Sequence, residues 1–379
     1  MRVEKILSPD TNITRGVLPS QAIAKMVAAG HIRARTPVLE DQIQPSSIDL
    51  RLGSEAFRVR ASFLANGDAT ITSKLEQYRL HTIDLRNSAV LEKGCVYIVP
   101  LQEELALPAS ISGKANPKSS TGRLDIFTRL ITDEGKQFEI VPPGYHGRLY
   151  AEVVPRTFSV VVRQGERLSQ LRLFQGDYRP DDELLRQIEN EEPLIYLPDE
   201  TRGEAQIRNG LRLSVDLAGD SAHDIIGYRA KKHAPLIDLA RVQHYDPGEF
   251  WDPIRRNESH TLILDPEDFY ILASRERVRI PAQYAAEMVP FDATIGEFRI
   301  HYAGFFDPGF GYGTGDINGT RAVLEVRSHE VPFIMEDGQI VASLVFERLI
   351  ERPKVLYGEG IGSSYQRQGL KLSKHFRSV

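Results

Sequence analysis

The sequence predicts a mainly β chain built from two copies of one β-domain, with few short helices. Three observations predict this. Period-two segments and short apolar runs, separated by Pro and Gly turns, fill most of the chain after one early helix. A set of residues recurs at one fixed spacing. The 379 residues exceed the usual size of one domain, and a hydrophobic content of 41% can fill two cores.

The early helix lies in LPSQAIAKMVAAGHI. There Ser20 is placed to cap, Ile23, Met26 and Val27 form an apolar face, and Gly30 can end the helix. SSIDLRLG (46–53), GRLYAEVV (147–154) and SVVVRQGERLSQLRLF (159–174) read as strands, the last with a turn near Gln164–Gly165. The following stretch is charged and reads as a connector over 176–222, with one short helix around Glu183–Asn190. The expected organisation is a first β-domain over 1–175, this connector, a second β-domain over 223–350 and a tail over 351–379.

The repeat has an offset of 173 positions. It relates Tyr97 to Tyr270, Pro108 to Pro281, Pro117 to Pro290, Glu152 to Glu325, Gly165 to Gly338 and Leu171 to Leu344. Six ordered matches indicate an internal duplication. The copies differ chemically. Opposite Lys118-Ser119-Ser120-Thr121-Gly122-Arg123 the second copy has Phe291-Asp292-Ala293-Thr294-Ile295-Gly296. The second copy instead carries glycine-rich GFGYGTG (309–315), which reads as a hairpin tip or as a phosphate-cradling nest.

Composition narrows the chemistry. A formal charge of −5 argues against non-specific binding to nucleic acid or to anionic membranes. Cys95 is the lone cysteine, which excludes an intramolecular disulfide and any multi-cysteine metal site. No run of about 18 apolar residues occurs, and the first residues lack an apolar signal core. These features predict a soluble cytoplasmic protein. The ten histidines form no HExxH pattern, so no metal site is expected.

Two features point to a site. Residues 118–123 bring together three hydroxyls, a glycine and two cations, which suits a di- or triphosphate; the same residues also fit a polar helix start. They lack Walker spacing. Glu152 and its copy Glu325 sit inside apolar strands. A glutamate so placed near Arg123 can act as a general base on water.

PSSIDLRLG, PKSSTGRL, GYHGRLYAEV and the tail GSSYQRQGLKLSKHF together resemble the dCTP deaminases of the trimeric dUTPase superfamily. The resemblance implies two dUTPase-like distorted β-barrels. It places Lys118, Ser119, Ser120, Thr121, Gly122 and Arg123 in a phosphate and catalytic motif. It places Glu152 at the catalytic glutamate, and Tyr150 and Ala151 at base-contacting positions. Tyr357 and Gln368 fall on nucleotide contacts of a tail that closes over the site. Lys118 stands where arginine is usual, and Ser364 where lysine is usual. The family's Asp-Pro-Gly hairpin is absent from the first copy and present in the second as Asp307-Pro308-Gly309. A composite site is therefore open beside the simple one: Ser119 and Arg123 with Asp307 and Glu325, or the same pair with Glu152.

The resemblance implies hydrolysis of dCTP to dUTP and ammonia by a glutamate-activated water. No cofactor is needed for the chemistry, and Mg²⁺ arrives with the triphosphate. It further implies a homo-oligomer, with a trimer favoured, and dUTP or dTTP as an effector. The rival readings are a dUTPase-like or bifunctional deaminase and pyrophosphatase, and a non-catalytic deoxynucleotide-binding regulator.

Overall fold

A computed structural model describes residues 15–67, 69–176, 181–219, 224–290, 298–301, 304–313, 315–328, 330–358, 365–366 and 368–378. The chain is mainly β, as expected. Its first helix is Ser20–Ala28, but Pro19 rather than Ser20 occupies the cap position, and Ser20 Oγ turns to Gln21. Proline suits that place because its missing N–H costs a helix start nothing.

The duplication is visible strand by strand. In the first copy, Glu55–Val59, Val96–Ala106, His146–Pro155 and Ile126–Thr132 form one antiparallel sheet in that order. In the second copy, Ile225–Ala230, Tyr270–Val278, Thr320–Ser328 and Phe298–His301 repeat it. A second sheet joins Arg167–Gln175 to Ile111–Pro117, and its copy joins Ile340–Arg348 to Tyr284–Pro290. Register is copied as well: Glu152 pairs with Ile98, and Glu325 with Ile271. Even the hydroxyl of Tyr97 accepts from Glu92 N (3.0 Å) as that of Tyr270 accepts from Asp265 N (2.9 Å).

Residues 182–214 do more than connect. Asp182–Glu191 is a helix that buries Leu185 and Ile188 in the second core. Ile195–Tyr196 pairs with Val278 and Arg277, and Leu211–Ser214 forms an edge against Ile340–Leu344. The charges decorate the outer face of segments whose inner face is apolar.

The copies interlock. Ile237–Asp238, from the second half, runs parallel to Val160–Val161 of the first. Phe250, Trp251 and Phe269 pack with Phe158 and with Phe376 of the tail in the first core. A central polar contact is made by Arg172, which is fully buried in the first copy. Its Nη1 donates to Glu347 Oε2 (2.7 Å) and to the Ala286 carbonyl (3.2 Å), both in the second copy. Its Nη2 donates to Ser46 Oγ (3.2 Å) and to the Phe306 carbonyl (3.3 Å).

Within GFGYGTG, Gly311 has φ +64, and a Cβ there would lie 2.1 Å from the Val278 carbonyl oxygen. The glycine is used for close backbone approach to the neighbouring strand. Among the described residues, no helix is long and apolar enough to cross a membrane.

Breaking the Arg172–Glu347 pair leaves a buried charge unpaired, which typically costs about 3–5 kcal/mol. We therefore expect Arg172→Met to destabilise the protein by about that much. Adding Glu347→Met should recover about 2 kcal/mol, read by a urea double-mutant cycle. Additive losses would contradict the pairing.

Candidate active site

The site lies at the seam between copies and begins with a four-residue helix. Strand Ile111–Pro117 ends at a proline, Lys118 takes an extended conformation (ψ 147°), and Ser119–Gly122 form one turn. Thr121 N and Gly122 N bond to the Lys118 carbonyl (2.8 and 3.0 Å), and Arg123 N bonds to that of Ser119 (3.0 Å). Asp125, at φ 55°, then turns the chain into the next strand.

Strand Thr320–Ser328 of the second copy faces this turn. Alternate side chains share one face of a strand, so Val323, Glu325 and Arg327 all meet the first copy. Arg123 lies against Glu325, with Nε 4.0 Å from Oε1. Two residues on, Arg327 binds Asp125, its Nε 3.3 Å from Oδ1, and also reaches Thr157 Oγ1 (2.8 Å). The two charge pairs fix the strand's register against the serine turn.

The cavity between these elements is lined by Lys118, Ser119, Ser120, Arg123, Asp307, Glu325, Tyr357 and Gln368, all named from the sequence. It is also lined by Gln44, Gln170, Phe305, Tyr365 and Lys374, to which the sequence reading gave no contact role. Lys118 is ion-paired with Asp49. Asp307 accepts a hydrogen bond from Ser46 Oγ and lies 3.9 Å from Arg172. The Arg172 guanidinium stacks 4.0 Å from the Phe305 ring centre. The tail closes the other side. Arg123 Nη2 donates to Gln368 Oε1 (2.9 Å), its Nη1 donates to the Lys371 carbonyl (2.9 Å), and its guanidinium lies 3.9 Å from the Tyr365 ring centre.

Two carboxyls of the cavity hold their protons above the ordinary range. Burial pushes the Glu325 carboxyl up to about 8, although the Arg123 charge pulls it down. Burial also raises Asp307, against the pull of Arg172 and the Ser46 hydroxyl.

Other expected residues stand elsewhere. Glu152 is ion-paired with Arg129 and Arg123 with Glu325. Glu152 is fully buried and bonded by Arg129 through Nε (3.0 Å) and Nη2 (2.6 Å), within its own copy. Arg129 is itself stacked 3.4 Å from the Phe138 ring centre. The pairing of Ser119 and Arg123 with Glu152 is thus not the one the fold makes. Tyr150 packs with Val59, Ile71 and Leu75, and Ala151 lies in the first core, so neither lines the cavity. Thr121 and Gly122 are buried residues of the serine turn itself, and neither lines this cavity. Phe291, Asp292, Ala293, Thr294, Ile295, Gly296 and Ser364 lie outside the described residues. The added lining residues carried a faint signal: Gln44 directly precedes PSSIDLRLG, and Phe305 lies two residues before the Asp-Pro-Gly turn.

Comparison with known proteins accords with this architecture. The model of the 2'-deoxycytidine 5'-triphosphate deaminase N-terminal domain matches residues 14–177, and that of the C-terminal domain matches 181–376. The chain belongs to the dCTP deaminase family. The family is one of hydrolytic deaminases, so the chain is an enzyme of that class. A crystal structure of 2'-deoxycytidine 5'-triphosphate deaminase from Agrobacterium tumefaciens is 49% identical, with a TM-score of 0.84. The match covers 90% of this chain and 100% of that one. A dCTP deaminase, dUMP-forming, from Corynebacterium glutamicum (strain R) is 29% identical over 163 residues, 42% of this chain and 80% of that protein. One of the same description from Methanothermobacter thermautotrophicus is 30% identical over 115 residues, 30% of this chain and 55% of that protein.

The two glutamates should respond oppositely to amidation. Glu325 holds its proton in the folded state up to about 8 but loses it near 4.5 when unfolded. Between these values the folded state binds more protons, so stability falls as pH rises. The penalty reaches on the order of 4 kcal/mol above pH 8. Glu325→Gln should therefore gain stability over the parent, increasingly from pH 5 to 8. Glu152→Gln should lose about 1–3 kcal/mol, because it weakens a buried, charge-assisted pair. Melting curves of both variants at pH 5 and pH 8 check the signs.

Proposed function

We propose that the enzyme hydrolyses dCTP to dUTP and ammonia at the cavity between its two copies, with Glu325 as the proton-transferring base. The observation that carries this reading is Glu325 itself: a buried carboxyl with its proton held to about 8, set 4.0 Å from Arg123 and beside the serine turn. A carboxyl tuned toward neutral pH can both take and return a proton.

In this mechanism the Glu325 carboxylate accepts a proton from water, and the resulting hydroxide adds to C4 of cytosine. Glu325 passes that proton to ring N3, then takes the remaining proton of the C4 hydroxyl and delivers it to the departing amine. The C4–N bond breaks, ammonia leaves and the carbonyl of uracil remains. Ser119 and Arg123 hold the water and offset the charge that develops. Lys118, Ser119 and Ser120 take the phosphates, with Mg²⁺ entering as the substrate's own counterion. Tyr357 and Gln368 contact the nucleotide from the tail. The residues given roles here come from both copies of one chain.

A second reading is dUMP-forming, with pyrophosphate released as well. Asp307 favours it: a carboxyl inside the same cavity, hydrogen-bonded to Ser46 and close to Arg172, is placed to hold a second water. Ammonia without pyrophosphate supports the first reading, and equal yields of both support the second.

Glu325→Gln is expected to lower ammonia release from Mg·dCTP by about 10³-fold or more, while Glu152→Gln keeps at least half. If Glu152→Gln is the inactive one, the assignment fails. The carboxylate is the working form, so kcat/KM should climb with pH, reach half its maximum near pH 8 and level off about one unit above. A flat profile between pH 6 and 9 would argue against Glu325 as base.

A further inference from the structure

Lys374 sits near the end of the tail, and its side chain lines the cavity beside Lys118, Ser119, Ser120 and Gln170. Its backbone is held on both sides. Its N–H donates to Tyr365 Oη (3.2 Å), and its carbonyl accepts from Gln243 N (2.9 Å). The flanking side chains are held as well. Ser373 Oγ donates to the Ser120 carbonyl (2.8 Å) and lies 2.9 Å from His375 Nδ1. His375 Nε2 donates to the Leu239 carbonyl (3.1 Å). Ser373 and His375 are buried. The tail is thereby fastened both to the serine turn and to a loop of the second copy, with Lys374 directed into the cavity between the fastenings.

Among the described residues, no carboxylate forms an ion pair with the Lys374 ammonium within 4.0 Å. The acids that act on it, Asp49 and Glu166, have other partners. Asp49 binds Lys118 and lies 3.8 Å from Arg167, and Glu166 lies 3.6 Å from Arg163. Burial and the neighbouring Lys118 charge hold Lys374 below the ordinary lysine range. Two ammonium groups that repel across a hydroxyl-lined space are stabilised together by a polyanion placed between them.

We propose that Lys374 is a phosphate-binding residue that acts with Lys118 on the outer phosphates and makes the site select nucleoside triphosphates over monophosphates. The proposal rests on the nucleotide reading above. It differs from that reading in assigning selectivity to a tail residue fixed on the serine turn, rather than to the turn alone.

Three proteins test it: the parent, Lys374→Met and Lys374→Arg. Each is titrated with inorganic tripolyphosphate by calorimetry and assayed for ammonia release from dCTP and dCMP. Lys374→Met is expected to weaken tripolyphosphate binding and to raise KM for dCTP by about 10- to 100-fold. Its kcat should stay within about threefold and its dCMP kinetics should not change, and Lys374→Arg should restore most of the affinity. Unaltered tripolyphosphate binding by Lys374→Met overturns the proposal. So does an equal loss toward dCTP and dCMP that arginine does not rescue, which marks a structural role. If the parent releases no ammonia while Lys374→Met still loses tripolyphosphate affinity, the deaminase reading falls and the role of Lys374 stands.

Discussion

The buried contact between Arg172 and Glu347 is the constraint on which the rest of the structure depends. A charge taken fully out of water is costly unless its hydrogen-bonding capacity is met. Arg172 meets most of it through its two Nη groups, with a carboxylate and two backbone carbonyls of the second copy and a hydroxyl of its own, while Nε is left without a partner. Those partners exist together only when the two copies dock in one orientation. The same guanidinium stacks on Phe305 and approaches Asp307, so the docking contact is also a wall of the cavity.

Duplication gave the two glutamates the same register, and their surroundings then separated their chemistry. Glu152 meets Arg129 at hydrogen-bonding distance within its own sheet, and its charge is neutralised there. Glu325 meets Arg123 only across the seam and at 4.0 Å. Burial therefore outweighs attraction for Glu325, whose carboxyl is pushed up to about 8. An identical residue on an identical strand lies in a close ion pair in one copy and lines the cavity in the other.

Much of this was legible in the sequence, because the repeat is local and periodic. Matched prolines, tyrosines and glycines located equivalent strands, and the loss of hydroxyls from one copy and of the hairpin aspartate from the other suggested a shared site. Which glutamate belongs to it was not legible, since that depends on how separate sheets dock. Residues 182–214 were legible in part: the short helix expected around Glu183–Asn190 is present as Asp182–Glu191. Their charge is conspicuous, while Leu185, Ile188 and the pairing of Leu211–Ser214 emerge only against the second sheet. The fastening of Ser373 and His375 was equally hidden, because it joins residues more than a hundred positions apart.

The strand Ile237–Asp238 carries a consequence of its own. By running alongside Val160–Val161, it makes a piece of the second copy an integral edge of the first. The gene's two halves have ceased to be interchangeable modules. A chimera joining halves from diverged relatives would have to match this edge and the aromatic packing around it, so each half constrains which changes the other can accept.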